Sequence, residues 1–270
     1  MLKTRILLVA GSAIVIWLIF LLPKVVVDND AAMEDNSEDS VASAGPAENH
    51  TAASPEILEA IRHLRTQIGE HWPKEKNAIF ADSLANLYQS AGKFDSAGWF
   101  AEEASKFFNT VESWTKTGDQ YYQAYTLALD QSKQSQFAKK AQESYQKVLA
   151  SSPDNLEVKT KMAMTYISSS PMQGINMLME VLKVDPQNES ALFNLGMLSI
   201  QSGQNEKAVE RLETLVKINP NHTQAQLLLG IAWMNLGEET KARTQFEKVK
   251  QMDKDPAVQA TVDSYLKDLK

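Results

Sequence analysis

The apolar residues of this chain fall at helical intervals, in runs separated by short polar breaks. Ile57, Ile61, Leu64 and Ile68 make one stripe, preceded by Ser54-Pro55-Glu56. Serine at an N-cap with proline at the first helical position is a helix start. Phe193, Leu195, Leu198 and Ile200 make another stripe, and Val258, Val262, Tyr265, Leu266 and Leu269 make a last one. The breaks SSPDN, VDPQN and INPNH hold Pro153, Pro186 and Pro220, spaced 33 and 34 residues apart. Proline cannot continue a helix and disfavours helix at the residue before it. The pattern predicts an all-α chain of short helices. Gly196 and Gly230 stand inside two of the helical runs, where glycine costs about 1 kcal/mol against alanine.

These two glycines are 34 residues apart, as are Gly203 and Gly237, Ala208 and Ala242, and Leu212 and Phe246. A fixed period of this size marks a helical repeat array. Leu195-Gly196 and Leu229-Gly230, the small Ala208 and Ala242, and the closing Pro220 resemble the tetratricopeptide repeat. Earlier stretches fit the same template: Leu84-Ala85, Tyr88, Gly92 and Ala97; then Trp114, Gly118, Tyr121 and Ala141; then Ala163, Tyr166 and Gly174. The resemblance implies an α-solenoid of about five helix pairs over 78–256, at 78–110, 111–155, 156–188, 189–222 and 223–256. Capping helices are expected at 54–73 and 257–270, because terminal repeats otherwise expose apolar faces. Small residues let paired helices approach, so Gly196 is expected to face Ala208. Gly203 and Gly237 are expected in turns, where positive φ is open to glycine. Gly118 to Ala141 spans 23 residues, against 12 from Gly196 to Ala208. Longer helices around a polar turn at 130–136 are expected there.

Residues 6–22, ILLVAGSAIVIWLIFLL, are 17 uncharged residues behind Lys3 and Arg5. A bilayer core needs roughly 17–25 helical residues, whereas a cleaved signal has an apolar core of about 7–15. Val25, Val26 and Val27 extend the stretch, and Lys24 can snorkel to the interface. The expectation is a cytoplasmic tip at 1–5 and a transmembrane signal anchor at 6–27. The flanking cations orient it so that the carboxyl-terminal domain lies on the periplasmic, outer side of the inner (cytoplasmic) membrane. Residues 28–56 carry eight acidic residues and no Lys or Arg. A segment this polar cannot offset its ordering entropy, so 28–53 is expected to be a disordered acidic tether. The whole chain carries a net charge of −7, and most of it belongs to this segment. No basic surplus points to nucleic acid.

Candidate chemistry is sparse. The chain has no cysteine, and none of His50, His63, His71 and His222 sits at metal-ligand spacing from a carboxylate. There is no GxSxG elbow and no glycine-rich phosphate loop. Met162, Met164, Met172, Met177 and Met179 are soft donors of the kind that bind Cu(I), but their spacing spreads them over different helix faces. They read as core. No catalytic residue, metal or cofactor is expected.

What remains is surface. In the family that the repeats resemble, the first helix of each pair lines a concave groove. Carried over by position, the partner-binding candidates are Met164 and Ile167; Phe193, Met197 and Ile200; and Leu227, Ile231 and Met234. The first two repeats offer Asp82, Asn86, Gln89, Thr115, Asp119 and Tyr122 instead. The groove is thus expected to be polar at one end and apolar at the other, and a polar-rimmed apolar patch marks a partner site. The resemblance implies a membrane-anchored, non-catalytic scaffold that takes a protein or peptide ligand in this groove. Asp82 and Asp119 stand where a clamp for a peptide carboxylate would need cations or amides. Two other readings stay open: an assembly factor similar to the anchored repeat proteins of cytochrome c maturation, and an enzyme with an unrecognised site. The sequence leaves homo-oligomerisation undecided.

Overall fold

The computed structural model describes residues 53–68 and 73–269. The expected cytoplasmic tip, the anchor at 6–27 and the tether up to residue 52 lie outside the described residues. Among the described residues no helix is long and apolar enough to cross a membrane.

Twelve α-helices and no strand occur among the described residues. A single helix, α1 (Pro55–Arg65), comes first. Five helix pairs follow: α2 (Lys74–Ser90) with α3 (Phe94–Phe108), α4 (Val111–Leu127) with α5 (Gln131–Ser151), α6 (Leu156–Thr165) with α7 (Pro171–Val184), α8 (Glu189–Gln201) with α9 (Asn205–Ile218), and α10 (Thr223–Asn235) with α11 (Glu239–Met252). A last helix, α12 (Pro256–Asp268), covers the end. The polar breaks work as caps. Asn155, Asn188 and His222, each two residues after a proline, accept the backbone N–H of Val158, Ala191 and Ala225 at 3.0, 3.0 and 3.3 Å. Each satisfies one of the orphan donors at a helix start.

The mid-helix glycines have a steric reason, in large side chains that close on them. A methyl group at Gly196 would lie 2.7 Å from Leu212 Cγ, and one at Gly230 would lie 2.6 Å from Phe246 Cε1. At both positions glycine makes room for a large side chain on the paired helix, and Ala208 is fully buried in the same cluster as Leu212. Gly118 likewise seats the ring of Tyr145 on its paired helix, while Gly98 seats that of Tyr121 on the first helix of the next pair. Leu212, Phe246 and Tyr145 are fully buried, so packing offsets the propensity penalty. Gly92, Gly203 and Gly237 have φ of 69°, 72° and 78° in the turns between paired helices.

Two boundaries differ from the sequence expectation. The first helix ends at Arg65 instead of running on through 54–73. Thr66 Oγ1 donates to the His63 carbonyl at 2.7 Å, a local bond that competes with continued helix. The turn of the second pair lies at residues 128–130, not 130–136. Asp130 caps α5 by accepting from Lys133 N at 2.8 Å, and the polar residues after it form an exposed helix face.

The extra residues of this pair lengthen both helices. Helix α4 runs six residues past Tyr121, against two past the equivalent Tyr88 in α2; α5 begins ten residues before Ala141, against three before Ala97 in α3. At 1.5 Å per residue the hairpin extends about 6–10 Å further than its neighbour. Part of the extension is packed. Tyr125 is buried, and its hydroxyl lies 3.3 Å from the Met164 carbonyl and 3.4 Å from Ser168 Oγ. It therefore buttresses the end of α6, which has only 10 residues.

Candidate partner-binding face

Beyond neighbours in the chain, the helices that meet are α4 with α6, α6 with α8, and α8 with α10. All are first helices of their pairs, and no two second helices approach to the same extent. From the second pair onward the first helices therefore form the tighter, inner face of the array.

The half of this face built from repeats 1–3 is charged but closed. Asp82 Oδ1 lies 2.5 Å from Lys116 Nζ, and both oxygens of Asp119 lie 3.0 Å from Lys161 Nζ. Each acid is thus matched by a lysine from the next first helix. Tyr145 donates to Asp119 Oδ1 at 2.8 Å, and burial pushes that phenol up, away from reactivity. Burial alone would push the Lys161 ammonium down, but Glu157 and Asp119 outweigh it and hold its pKa above the ordinary value. The two acids had been legible in the sequence, whereas their lysine partners were missed. The available signal was spacing: Lys116 follows Asp82 by one 34-residue period. Thr115 Oγ1 donates back to the Val111 carbonyl at 2.7 Å, Tyr122 is half-buried, and Asn86 and Gln89 are exposed.

The half built from repeats 4 and 5 carries almost no charge. Helix α10 has none, and α8 has only Glu189, in its first turn. Phe193, Met197 and Ile200 recur one period later as Leu227, Ile231 and Met234, and all six are half-buried. Phe193 stacks on His222 with centroids 5.2 Å apart, and it packs with Ile200 onto the core of Leu212, Leu215 and Leu229. Leu227, Ile231 and Met234 pack against Phe246, Val249 and Val262. Met164 leans on Ala163 and Leu178. Ile167 turns inward, its Cδ1 filling the space that a methyl on Gly174 would need. Met197 belongs to none of the buried clusters among the described residues. It stands between Phe193 and Ile200 in sequence on α8 and is half-buried. The candidates in repeats 4 and 5 therefore share a row, while Met164 and Ile167 belong to the packing of repeat 3.

Met177 packs against the cluster that holds Met162 and, with Met164, against a second cluster. Met162 is buried, Met164 and Met177 are half-buried, and Met172 and Met179 are exposed. Among the described residues no group of three His, Asp or Glu could hold a metal ion. A cleft of about 390 Å³ opens elsewhere, between α3 and α5 over Trp114. Its cations are already engaged: Lys140 Nζ lies 2.9 Å from Glu102, and Lys147 Nζ lies 3.3 Å from the Trp114 ring centroid.

Comparison with known proteins agrees with this geometry. The tetratricopeptide repeat model matches residues 173–228 and 201–263. A solved tetratricopeptide repeat protein from Parabacteroides merdae shares 15% identity, covering 79% of this chain and 82% of its own, with a TM-score of 0.59. Two structures of MamA share 20% identity, covering 67% and 64% of this chain and 93% and 96% of theirs, with TM-scores of 0.50 and 0.51. No curated protein matches the sequence. At these identities the likeness shows the fold, an all-α solenoid of tetratricopeptide type.

Proposed function

We propose that this chain is a membrane-anchored, non-catalytic scaffold that captures an uncharged, apolar polypeptide segment on the inner face of α8 and α10. The observation that carries the reading is the row of Phe193, Met197 and Ile200 repeated as Leu227, Ile231 and Met234, half-exposed on helices almost without charge. Ion pairs neutralise the neighbouring half of the face, so an ionic ligand has little to hold there. Methionine adapts its shape to varied apolar partners. The cationic flanks and apolar run of 6–27 support an anchor in the inner membrane, with the array on its outer side. Holding the array near the bilayer raises its effective concentration toward membrane partners.

The test is a single substitution. Phe193 and Leu227 pack against the core, so charges there would disturb folding as well as binding. Met197→Glu places the charge at a half-buried position outside the buried clusters instead. Co-purification of partners with full-length protein from its host should fall at least about tenfold, with helical content unchanged, if the charge must be desolvated on binding. Undiminished capture would dismiss this face. Protease added to spheroplasts should digest the array; protection would reverse the topology.

A further inference from the structure

The edge of the array at repeats 2 and 3 differs from the rest. Leu127 and Leu129, at the tip of the α4–α5 hairpin, are 61% and 71% exposed. The hydroxyl of Tyr125 places this tip beside the α6–α7 turn by its contacts with Met164 and Ser168. That turn is followed by Met172, which is 67% exposed at the start of α7. Residues 120–129 and 162–179 contain no charged residue. Asp130 closes the α4–α5 turn as the cap of α5, and Lys93 and Asp95, Glu206 and Lys207, and Glu238 and Glu239 stand at or beside three other turns between paired helices, so the α6–α7 turn is the one without a charge at or beside it. Two uncharged stretches thus meet at one edge, and the longest hairpin of the array carries two bare leucines there.

A protruding tip has no concavity to receive a folded partner, whereas a fluid apolar layer accepts side chains of any shape. The chain itself holds a candidate for that layer in the uncharged run 6–22 behind Lys3 and Arg5. If 6–27 sits in a bilayer, a flexible chain of 26 residues, the length of 28–53, would span roughly 30 Å, which would keep the array within reach of that bilayer's surface. From this convergence we infer that Leu127, Leu129 and Met172 form a membrane-contact edge, which dips into the interfacial layer of the bilayer while the inner face stays open to partners. Aliphatic tips enter this region because burial of apolar surface is favourable there without requiring a shaped site. The inference rests on the anchor reading given above.

The absence of cysteine from the chain provides the test. Leu129→Cys and Met172→Cys, each carrying an environment-sensitive fluorophore, are compared with Gln204→Cys on the charged α8–α9 turn. Full-length protein is reconstituted into phosphatidylcholine vesicles, with and without a lipid-borne quencher, and vesicle flotation is scored in the same samples. The expected result is flotation, blue-shifted emission at 129 and 172 that the quencher removes, and aqueous emission at 204. Flotation with aqueous emission at 129 and 172 would overturn the membrane-contact edge and leave the anchor standing. Failure to float would overturn both. Blue-shifted emission untouched by the quencher would assign the edge to a protein contact instead, and would also overturn the inference.

Discussion

A glycine and the ring beside it show how this array is held together. Gly118 sits under Tyr145, whose ring is fully buried and whose hydroxyl is tied to Asp119. Gly118→Ala therefore has no flexible neighbour to push aside. Overpacking of this kind costs about 1–3 kcal/mol, against a helix-propensity gain of about 1 kcal/mol, so a net loss in Tm is expected. Gly203→Ala acts differently: nothing lies within 4 Å, but φ is 72°, and the loss of about 1 kcal/mol should come from the backbone alone. Thermal unfolding of the two variants checks both, and an unchanged Tm for Gly118→Ala would show that the ring is not confined. Glu102 supplies a pH test. Burial pushes its carboxyl up, but hydrogen bonds from Lys140 and Tyr121, with the charges of Lys140 and Lys106, hold it below the ordinary value. A depressed carboxyl contributes stability above its unfolded pKa of about 4.3, and that contribution is lost as pH falls through the folded value. Glu102→Gln should lower Tm at neutral pH and flatten the decline of Tm in acid. A parallel decline in both proteins would assign the acid sensitivity elsewhere. Lys161, held above its ordinary value, has the opposite sign. Its contribution is present below about pH 10.4 and disappears as pH rises through the folded value.

Among the elements, the last helix should matter out of proportion to its length. Val262 of α12 is fully buried with Phe246 and Val249, and the Tyr265 ring stacks on Phe246 at 5.1 Å. Val262→Asp buries an unpaired charge, which costs several kcal/mol. Because a repeat array is stabilised mainly between neighbours, hydrogen exchange should quicken in α10–α12 and stay slow in α2–α5. Uniform loss of protection would mean that the array folds as one unit. The helix pairs themselves were legible because Gly196/Gly230, Leu212/Phe246 and the Pro-containing breaks repeat in register, and each repeated residue type has one steric job. The inward stripe of α1 was legible for the same reason, with Ile57, Leu64 and Ile68 packing beside Ile61 on Leu84 and Tyr88. The end of α1 and the turn at 128–130 were not legible, since a polar run reads alike as a loop or as an exposed helix face. Nor did period 34 show whether Ile167 points outward or over Gly174; one residue of register decides it, and only packing settles register.

In the molecule as a whole, one inner face carries two chemistries. Repeats 1–3 are joined by ion pairs of Asp82 with Lys116 and Asp119 with Lys161, while repeats 4 and 5 present an uncharged row. The acids of the first half were readable one by one. Their pairing was not, because it joins helices one repeat apart. If ligands enter at repeats 4 and 5, as proposed, a photo-crosslinking amino acid placed in full-length protein in its native host will report it. Probes at Met197 and Ile231 are compared with one at Trp99, a 53% exposed residue on second helix α3. The account predicts defined crosslinks to the same polypeptide partner from 197 and 231, and none to that partner from 99. Crosslinks to the partner from 99, with 197 and 231 silent, would contradict it.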